Sequence, residues 1–180
     1  DTRGHFGSPL RGLIFVEPGT WRQAQNKIIS IYNVGTGIIL DALRRAPDVR
    51  RFVVLVQREV AERMLAGPGS RAYGVPSVVT SMYAHGSIAF SVAPTVFYPT
   101  PSVASAVIDI ERHTAPGNAE RAIEIASAAF GQRRKMLRRS LATVVPNVSE
   151  VLVRCRIDPT ARAEDLTAEA FVAIANEVDG

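Results

Sequence analysis

Two stretches carry the residue types that could do chemistry. The first is Phe97-Tyr98-Pro99-Thr100-Pro101-Ser102-Val103-Ala104-Ser105, and the second, some thirty residues on, is Phe130-Gly131-Gln132-Arg133-Arg134-Lys135-Met136-Leu137-Arg138-Arg139-Ser140-Leu141. In the first, Pro99 and Pro101 fix their own φ and restrict the residues before them, so a stiff turn can hold Phe97 in one orientation. A base drawn out of its stack needs such an aromatic surface. The competing reading makes Phe97 a core residue and the prolines a strand end, and composition alone favours it. In the second stretch, Arg133, Arg134, Lys135, Arg138 and Arg139 place five positive charges in seven positions, with no acidic residue within one helical turn. The competing reading there is a solvated helix face. Against it, like charges at this spacing repel unless an anion meets them. An aromatic platform and a cationic surface together point to nucleic acid, RNA in particular.

These residues need elements to position them. Ile28–Tyr32 reads as a strand, Thr36–Arg45 as a helix, Arg51–Gln57 as an apolar strand of the kind buried on both faces, and Glu59–Ala66 as a short helix stopped by Gly67-Pro68-Gly69. That alternation implies parallel pairing and an α/β layer architecture. Ser77–Tyr83, Ser87–Val92 and Ala104–Ile110 read as strands that extend the sheet with an antiparallel edge. After a linker at 113–118 the pattern turns helical: Ala119–Phe130, Arg133–Val144, and Ala168–Val178 capped by Thr167. On the wheel of the second helix, Arg134, Lys135, Arg138 and Arg139 form one arc, opposite Phe130, Leu137 and Leu141. Arg133 borders the apolar side. The predicted division is an α/β unit over residues 1–113 and a helical unit over 114–180.

Composition narrows the classes. The 180 residues, 47% hydrophobic, suit one domain and an appendage. No stretch approaches the roughly 18 apolar residues of a membrane span, and Asp1-Thr2-Arg3-Gly4-His5 leads into no signal-peptide core. The net charge of +4 is mild, so its distribution matters more than its total. Cys155 is the single cysteine, which excludes an internal disulfide and a cysteine-based zinc site; a cytoplasmic home follows by elimination. His5, His85 and His113 lack ligand spacing, so no metal site is expected. Glu59 and Glu62 flank Arg58 and Arg63 in a short helix and read as surface ion pairs. Tyr73 and Tyr83 read as packing residues.

Phe97-x-Pro99-x-Pro101-x-Val103-x-Ser105 followed by Phe130-x-Gln132-Arg133-Arg134-Lys135-x-Leu137-Arg138 closely resembles the ribosomal RNA adenine dimethyltransferases of the KsgA/RsmA type. Three further stretches agree in order: Val56–Arg63, Pro68–Gly74 and Ile157–Leu166. The resemblance implies a Rossmann-like methyltransferase sheet, incomplete at its N-terminal side, with a small C-terminal helical domain that binds rRNA. It implies methyl transfer from S-adenosylmethionine to N6 of two adjacent adenosines near the 3′ end of small-subunit rRNA, by a monomer acting on the 30S subunit. That chemistry is mostly positioning beside the methyl donor, with no metal and no covalent intermediate. Carried over by position, Tyr32 and Phe97 frame the adenine and Asn33 supports its loop. Pro99 and Pro101 shape the turn, and Arg133, Arg134, Lys135, Arg138 and Arg139 bind phosphates.

The chain also departs from the pattern. The family's Asn-Leu-Pro-Tyr motif becomes Ile29-Ser30-Ile31-Tyr32, and isoleucine cannot accept a hydrogen bond from N6. Gly37 stands in place of proline and Ala104 in place of aspartate. The glycine-rich cofactor loop is not present; Gly35-Thr36-Gly37 follows the wrong strand. Glu17, after Leu13-Ile14-Phe15-Val16, faintly resembles the acid that holds the cofactor ribose, but a loop carboxylate is the better reading. Either the chain is a piece of a longer protein or its N-terminal stretch rebuilds that side. The alternative to the enzyme is a non-catalytic RNA-binding ribosome-assembly factor derived from the same family. A methyltransferase for DNA adenine fits the helical tail less well.

Overall fold

The computed structural model describes residues 27–30 and 35–180. Strand β1 (Lys27–Ser30) leads through α1 (Gly35–Arg45) to β2 (Arg51–Gln57), which lies parallel to β1. Then come α2 (Arg58–Met64), α3 (Val75–Tyr83), β3 (Ala84–Val92) and β4 (Ser105–Arg112). The sheet order is β1-β2-β4-β3, with β4 antiparallel to both neighbours. The expected α/β sheet with an antiparallel edge is present.

The helices close one face of this sheet. Phe52, Val54 and Val56 pair with Ile110, Ile108 and Ala106 across β2 and β4, and all six are buried. The other face differs from the expectation of a strand buried on both sides. There Val53, Leu55 and Val107 are only half-buried, and Arg51 crosses to Asp109 (Nε to Oδ1, 2.8 Å). A period-two strand places its residues on faces that can differ in cover, and an apolar run alone does not reveal which face lacks it.

Ser77–Tyr83 is not a strand but the body of α3. Its β-branched run suggested a sheet, yet the local signals are helical. Pro76 sits in the first turn, and the Ser77 hydroxyl accepts from the Gly74 N–H (3.1 Å) while donating to the Arg63 carbonyl (2.5 Å). Val78, Val79, Met82 and Tyr83 are all buried because α3 is packed by α1, α2, α4 and α7. A helix covered nearly all round shows no amphipathic stripe, which removes the sequence cue. Packing then outweighs an intrinsic preference worth only tenths of a kcal/mol per residue (about 0.7 at most for ordinary residues).

One arginine joins sheet to helix. Arg112, the last residue of β4, donates to the carbonyls of Leu43 (2.6 Å), Val49 (2.8 Å), Ala42 (3.0 Å) and Ala46 (3.0 Å). It thereby satisfies the orphan carbonyls at the C-terminus of α1 and places a cation at the negative end of that helix. Burial lowers the Arg112 pKa.

The C-terminal part is helical, as expected, but divided differently. It contains α4 (Ala119–Gly131), α5 (Leu137–Ser140), α6 (Val148–Arg154) and α7 (Ala168–Asp179). Thr167 caps α7, its hydroxyl accepting from the Ala170 N–H at 3.3 Å. Phe171, Ile174, Leu152, Leu137 and Leu141 form the buried centre, continuous with the core under the sheet. The long helix expected over Arg133–Val144 is a turn followed by the four residues of α5. The extended tail at residues 159–162 explains this. Leu137 N–H donates to the Ala161 carbonyl (2.8 Å) and Arg138 N–H to that of Pro159 (3.2 Å), instead of to the carbonyls one turn back. Met136 bridges Arg162 in the same arrangement. Among the described residues, no helix is long and apolar enough to cross a membrane.

The two parts are also joined by charge. Glu120, in the first turn of α4, accepts two hydrogen bonds from Arg44 of α1 and one from the Tyr83 hydroxyl of α3. These partners, Arg44 first and Tyr83 next, hold the Glu120 carboxyl down at about 2. A carboxyl lower in the folded than in the unfolded state adds stability that is complete above its ordinary value near 4.5. That stability drains away as pH falls from there toward 2. Glu120 and Arg44 are partly exposed, so the effect is modest. The urea midpoint of the native chain should drop between pH 5 and 2.5, and Glu120→Gln should flatten part of that drop. An identical pH profile in Glu120→Gln would mean the contact contributes nothing.

Candidate nucleic-acid interface

The β-sheet places the proline turn. β1 and β2 run parallel and end at Ser30 and Gln57, β3 ends at Val92, and β4 starts at Ser105 opposite Gln57. The connection 93–104 therefore lies at the carboxyl end of the two parallel strands. In open α/β sheets that end is where ligands bind. Tyr32 and Asn33 lie outside the described residues; in sequence they follow Ser30, where β1 ends. Glu17 also lies outside them. Ile29 is a β1 residue in register with Val54.

The turn is held from both sides. A 3-10 turn at Pro94–Val96 is closed by the Phe97 N–H donating to the Pro94 carbonyl (3.2 Å), and the Thr100 hydroxyl donates to the Phe97 carbonyl (3.3 Å). Arg58 binds its two ends. Its N–H donates to the Ala104 carbonyl (2.9 Å), its guanidinium reaches the Ser91 hydroxyl (3.2 Å), and its Nε pairs with Glu62 (2.8 Å). Glu59 pairs with Arg63 at 3.0 Å, so both glutamates serve in ion pairs along α2. Phe97 is half-buried, Pro99 is exposed and Pro101 half-buried, and the Tyr98–Pro99 peptide is cis. Phe97 is therefore neither a core residue nor fully in water.

The basic segment hangs from a different element, the end of α4. Its five cations separate into two kinds. Arg133 is engaged. Its Nε pairs with Glu164 (2.8 Å), and its terminal nitrogens donate to the carbonyls of Tyr73 (2.8 Å) and Arg71 (3.2 Å). Its guanidinium also lies 5.9 Å from the Phe130 ring centroid. Around it the 69–74 loop is tied to the tail: Gly69 N–H donates to the Glu164 carbonyl at 2.8 Å, and the Tyr73 hydroxyl to that of Leu166 at 2.9 Å. Gly69 has φ +79, where a side chain would be strained. Phe130 meets the Tyr73 ring edge-on at 5.7 Å, and burial pushes the Tyr73 hydroxyl up to about 12.

Arg134, Lys135, Arg138 and Arg139 are of the other kind. All four are exposed, and among the described residues none makes an ion pair or a side-chain hydrogen bond. Asp158, which Arg138 influences only weakly, is already occupied by the N–H and hydroxyl of Thr160, both at 2.8 Å, and these chiefly lower its pKa. An open cleft of about 430 Å³ runs along residues 130–135 between Phe130 and Lys135. Of the four open cations, Arg134 and Lys135 line this cleft and Arg138 and Arg139 follow it in the chain; together they attract a polyanion and gain by releasing its counterions.

Sequence reasoning missed the clasp at Arg133 and the Arg44–Glu120–Tyr83 contact. Neither had a local signal, because Glu164 is 31 residues from Arg133 and Glu120 is 76 from Arg44. Among the described residues there is no cluster of metal-ligating side chains. Cys155 is half-buried with its pKa raised, chiefly by burial, which is the opposite of a reactive thiol.

Comparison with known proteins agrees with this geometry. The profile of the ribosomal RNA adenine dimethylase family matches residues 30–180. The chain is 43% identical over 150 residues to ribosomal RNA small subunit methyltransferase A of Kineococcus radiotolerans, covering 80% of this chain and 50% of that protein. It is equally 43% identical over 151 residues to the protein of that name from Streptomyces griseus, covering 80% and 52%. The chain thus spans about half the length of the relatives it matches. In fold it is similar to a dimethyladenosine transferase from Plasmodium falciparum, with a TM-score of 0.71 at 17% identity over 94% of this chain and 70% of that one. It is also similar to the 23S rRNA methyltransferase ErmE, at 0.62 and 21% over 86% and 65%.

Proposed function

This chain belongs to the ribosomal RNA adenine dimethylase family, and from that premise we propose that it carries the target-binding half of a 16S rRNA adenine-N6,N6-dimethyltransferase. Phe97 and Tyr32 frame the adenine, Asn33 supports the loop after β1, and Pro99 and Pro101 fix the turn. Arg134, Lys135, Arg138 and Arg139 bind rRNA phosphates. Arg133 is placed among the groups that position this surface, in view of its contacts to Glu164 and the 69–74 loop. Residues 1–113 then form the partial methyltransferase unit and 114–180 the rRNA-binding unit, acting as a monomer on the small subunit in the cytoplasm.

The observation that carries this reading is that the proline turn lies at the same end of the sheet as the carboxyl end of β1, after which Tyr32 and Asn33 follow in sequence. S-adenosylmethionine is the methyl donor that the family implies. The described residues do not fit it by themselves. Among the described residues, the carboxyl ends of β1 and β2 present Ser30 and Gln57 rather than an acid for a ribose. The chemistry assigned to this chain is therefore to hold and present the target.

A second reading, a non-catalytic ribosome-assembly factor, is favoured by Ile29 at the position of the motif's asparagine. One experiment separates the readings. The chain is incubated with undermethylated small ribosomal subunits and labelled S-adenosylmethionine, and both binding and methyl incorporation are followed. Binding without incorporation is expected. Incorporation would mean that the chain builds a donor site and tolerates Ile29; no binding to the subunits would remove the target-binding reading altogether.

A further inference from the structure

The hairpin of β3 and β4 exposes apolar side chains that neither its core nor the half-buried Phe97 explains. Tyr98 is fully exposed at 102%, Val96 at 66% and Phe90 at 59%, with Val103 at 42%. Exposed apolar residues scattered singly need no explanation, but these share one hairpin beside the proposed target-base turn. Phe90 is also re-aimed. Ile88, itself 37% exposed, pairs with the buried Ile108, and a bulge at Ala89 brings Phe90 opposite Val107 on the other face. Without that extra residue, period two would put Phe90 on the same side as Ile88. The prolines and the 3-10 turn hold the Tyr98 backbone, so a ligand that stacks there meets a surface already ordered.

Charge narrows the partner. No acidic residue occurs between Glu62 and Asp109, and both of those are neutralised, by Arg58 and Arg51 respectively. Of the hairpin's own carboxylates, Asp109 is paired with Arg51, and Glu111 stands opposite His85 at the far end of β4 from the 93–104 turn. An aromatic turn that contributes no carboxylate of its own suits single-stranded nucleic acid, whose bases stack on such rings without regard to sequence. On the dimethylase reading, on which this inference rests, we propose that Tyr98 and Phe90 form a stacking surface for the unpaired nucleotides that flank the target adenosine. The two rings lie on the same hairpin as Phe97, on a different element from the basic segment after α4.

The test uses the chain as it stands and a small-subunit 3′-terminal RNA hairpin carrying 2-aminopurine beside the adenosine pair. Its emission is quenched when it stacks. Wild-type protein should quench it on binding. Tyr98→Ala should restore much of the emission and weaken binding about five- to tenfold with an unchanged salt slope. Tyr98→Phe, which keeps the ring, should behave as wild type, and Phe90→Ala should act in the same direction as Tyr98→Ala. Because Tyr98 is fully exposed, these variants should keep the native circular dichroism. Equal emission and affinity in wild type and Tyr98→Ala, with Arg134→Ala, Arg138→Ala still weakened, would overturn the stacking surface and leave the dimethylase reading intact. A dimer seen by light scattering and dissolved by Phe90→Ala would overturn it in favour of self-association. No RNA binding by wild type would remove both readings together.

Discussion

Replacing Arg134 and Arg138 together by alanine lowers the affinity of the chain for the rRNA hairpin and flattens its dependence on salt. The two guanidiniums are exposed and lack an acidic partner among the described residues, so each can give its charge to a phosphate. Each phosphate neutralised steepens the plot of log K against log salt by about 0.9 on a duplex or about 0.7 on a single strand. Removing two such contacts should reduce the slope by about 1.4 to 1.8. The loss should be spread evenly over related sequences, since phosphate contacts position the protein without reading bases. Fold stability should hold within about 0.5 kcal/mol, as expected for exposed side chains. Affinities titrated at several salt concentrations check this. An unchanged slope would make the basic segment a solvated surface.

Arg133→Ala has the opposite signature. It should destabilise the fold by about 2 kcal/mol and change the salt slope little. Truncation leaves Glu164 without its cation and the carbonyls of Tyr73 and Arg71 without their donor. These groups are only partly buried, so water takes over some of the lost bonds, which keeps the figure near the low end for charged hydrogen bonds. Arg133→Lys should recover little, because an ammonium cannot reproduce the fork that spans a carboxylate and two carbonyls. Urea unfolding of the two variants beside Arg134→Ala gives the comparison. An Arg133→Ala protein as stable as wild type but with a flattened slope would return Arg133 to the phosphate ligands. With the expected loss of stability, adjacent arginines in one motif differ in role only through what the fold brings against the first.

Much of this molecule is written locally. The apolar run 52–56, the cap at Thr167 and the proline spacing at 99 and 101 need no distant partner to be read, and each corresponds to an element where expected. The charge cluster is likewise a matter of composition within seven positions. The family follows from the order of short motifs, which survives in sequence even where Ile29 replaces the motif's asparagine.

Other features were settled only by contacts distant along the chain. Residues 77–83 prefer a strand by side-chain type, but burial on every side by α1, α2, α4 and α7 makes them a helix. The segment after Gly131 has good helix formers, yet the tail at 159–162 takes the N–H groups of Leu137 and Arg138 and stops it. The same tail brings Glu164 to Arg133, which divides five like charges into one fixed anchor and four open cations. The bulge at Ala89 turns Phe90 to the other face by the insertion of one residue, which alternation in sequence cannot register. The sequence by itself determined which residues could meet a base or a phosphate, because that depends on side-chain chemistry. Only the tertiary structure decided which of them are still available, because availability depends on partners that the chain supplies from thirty or more residues away.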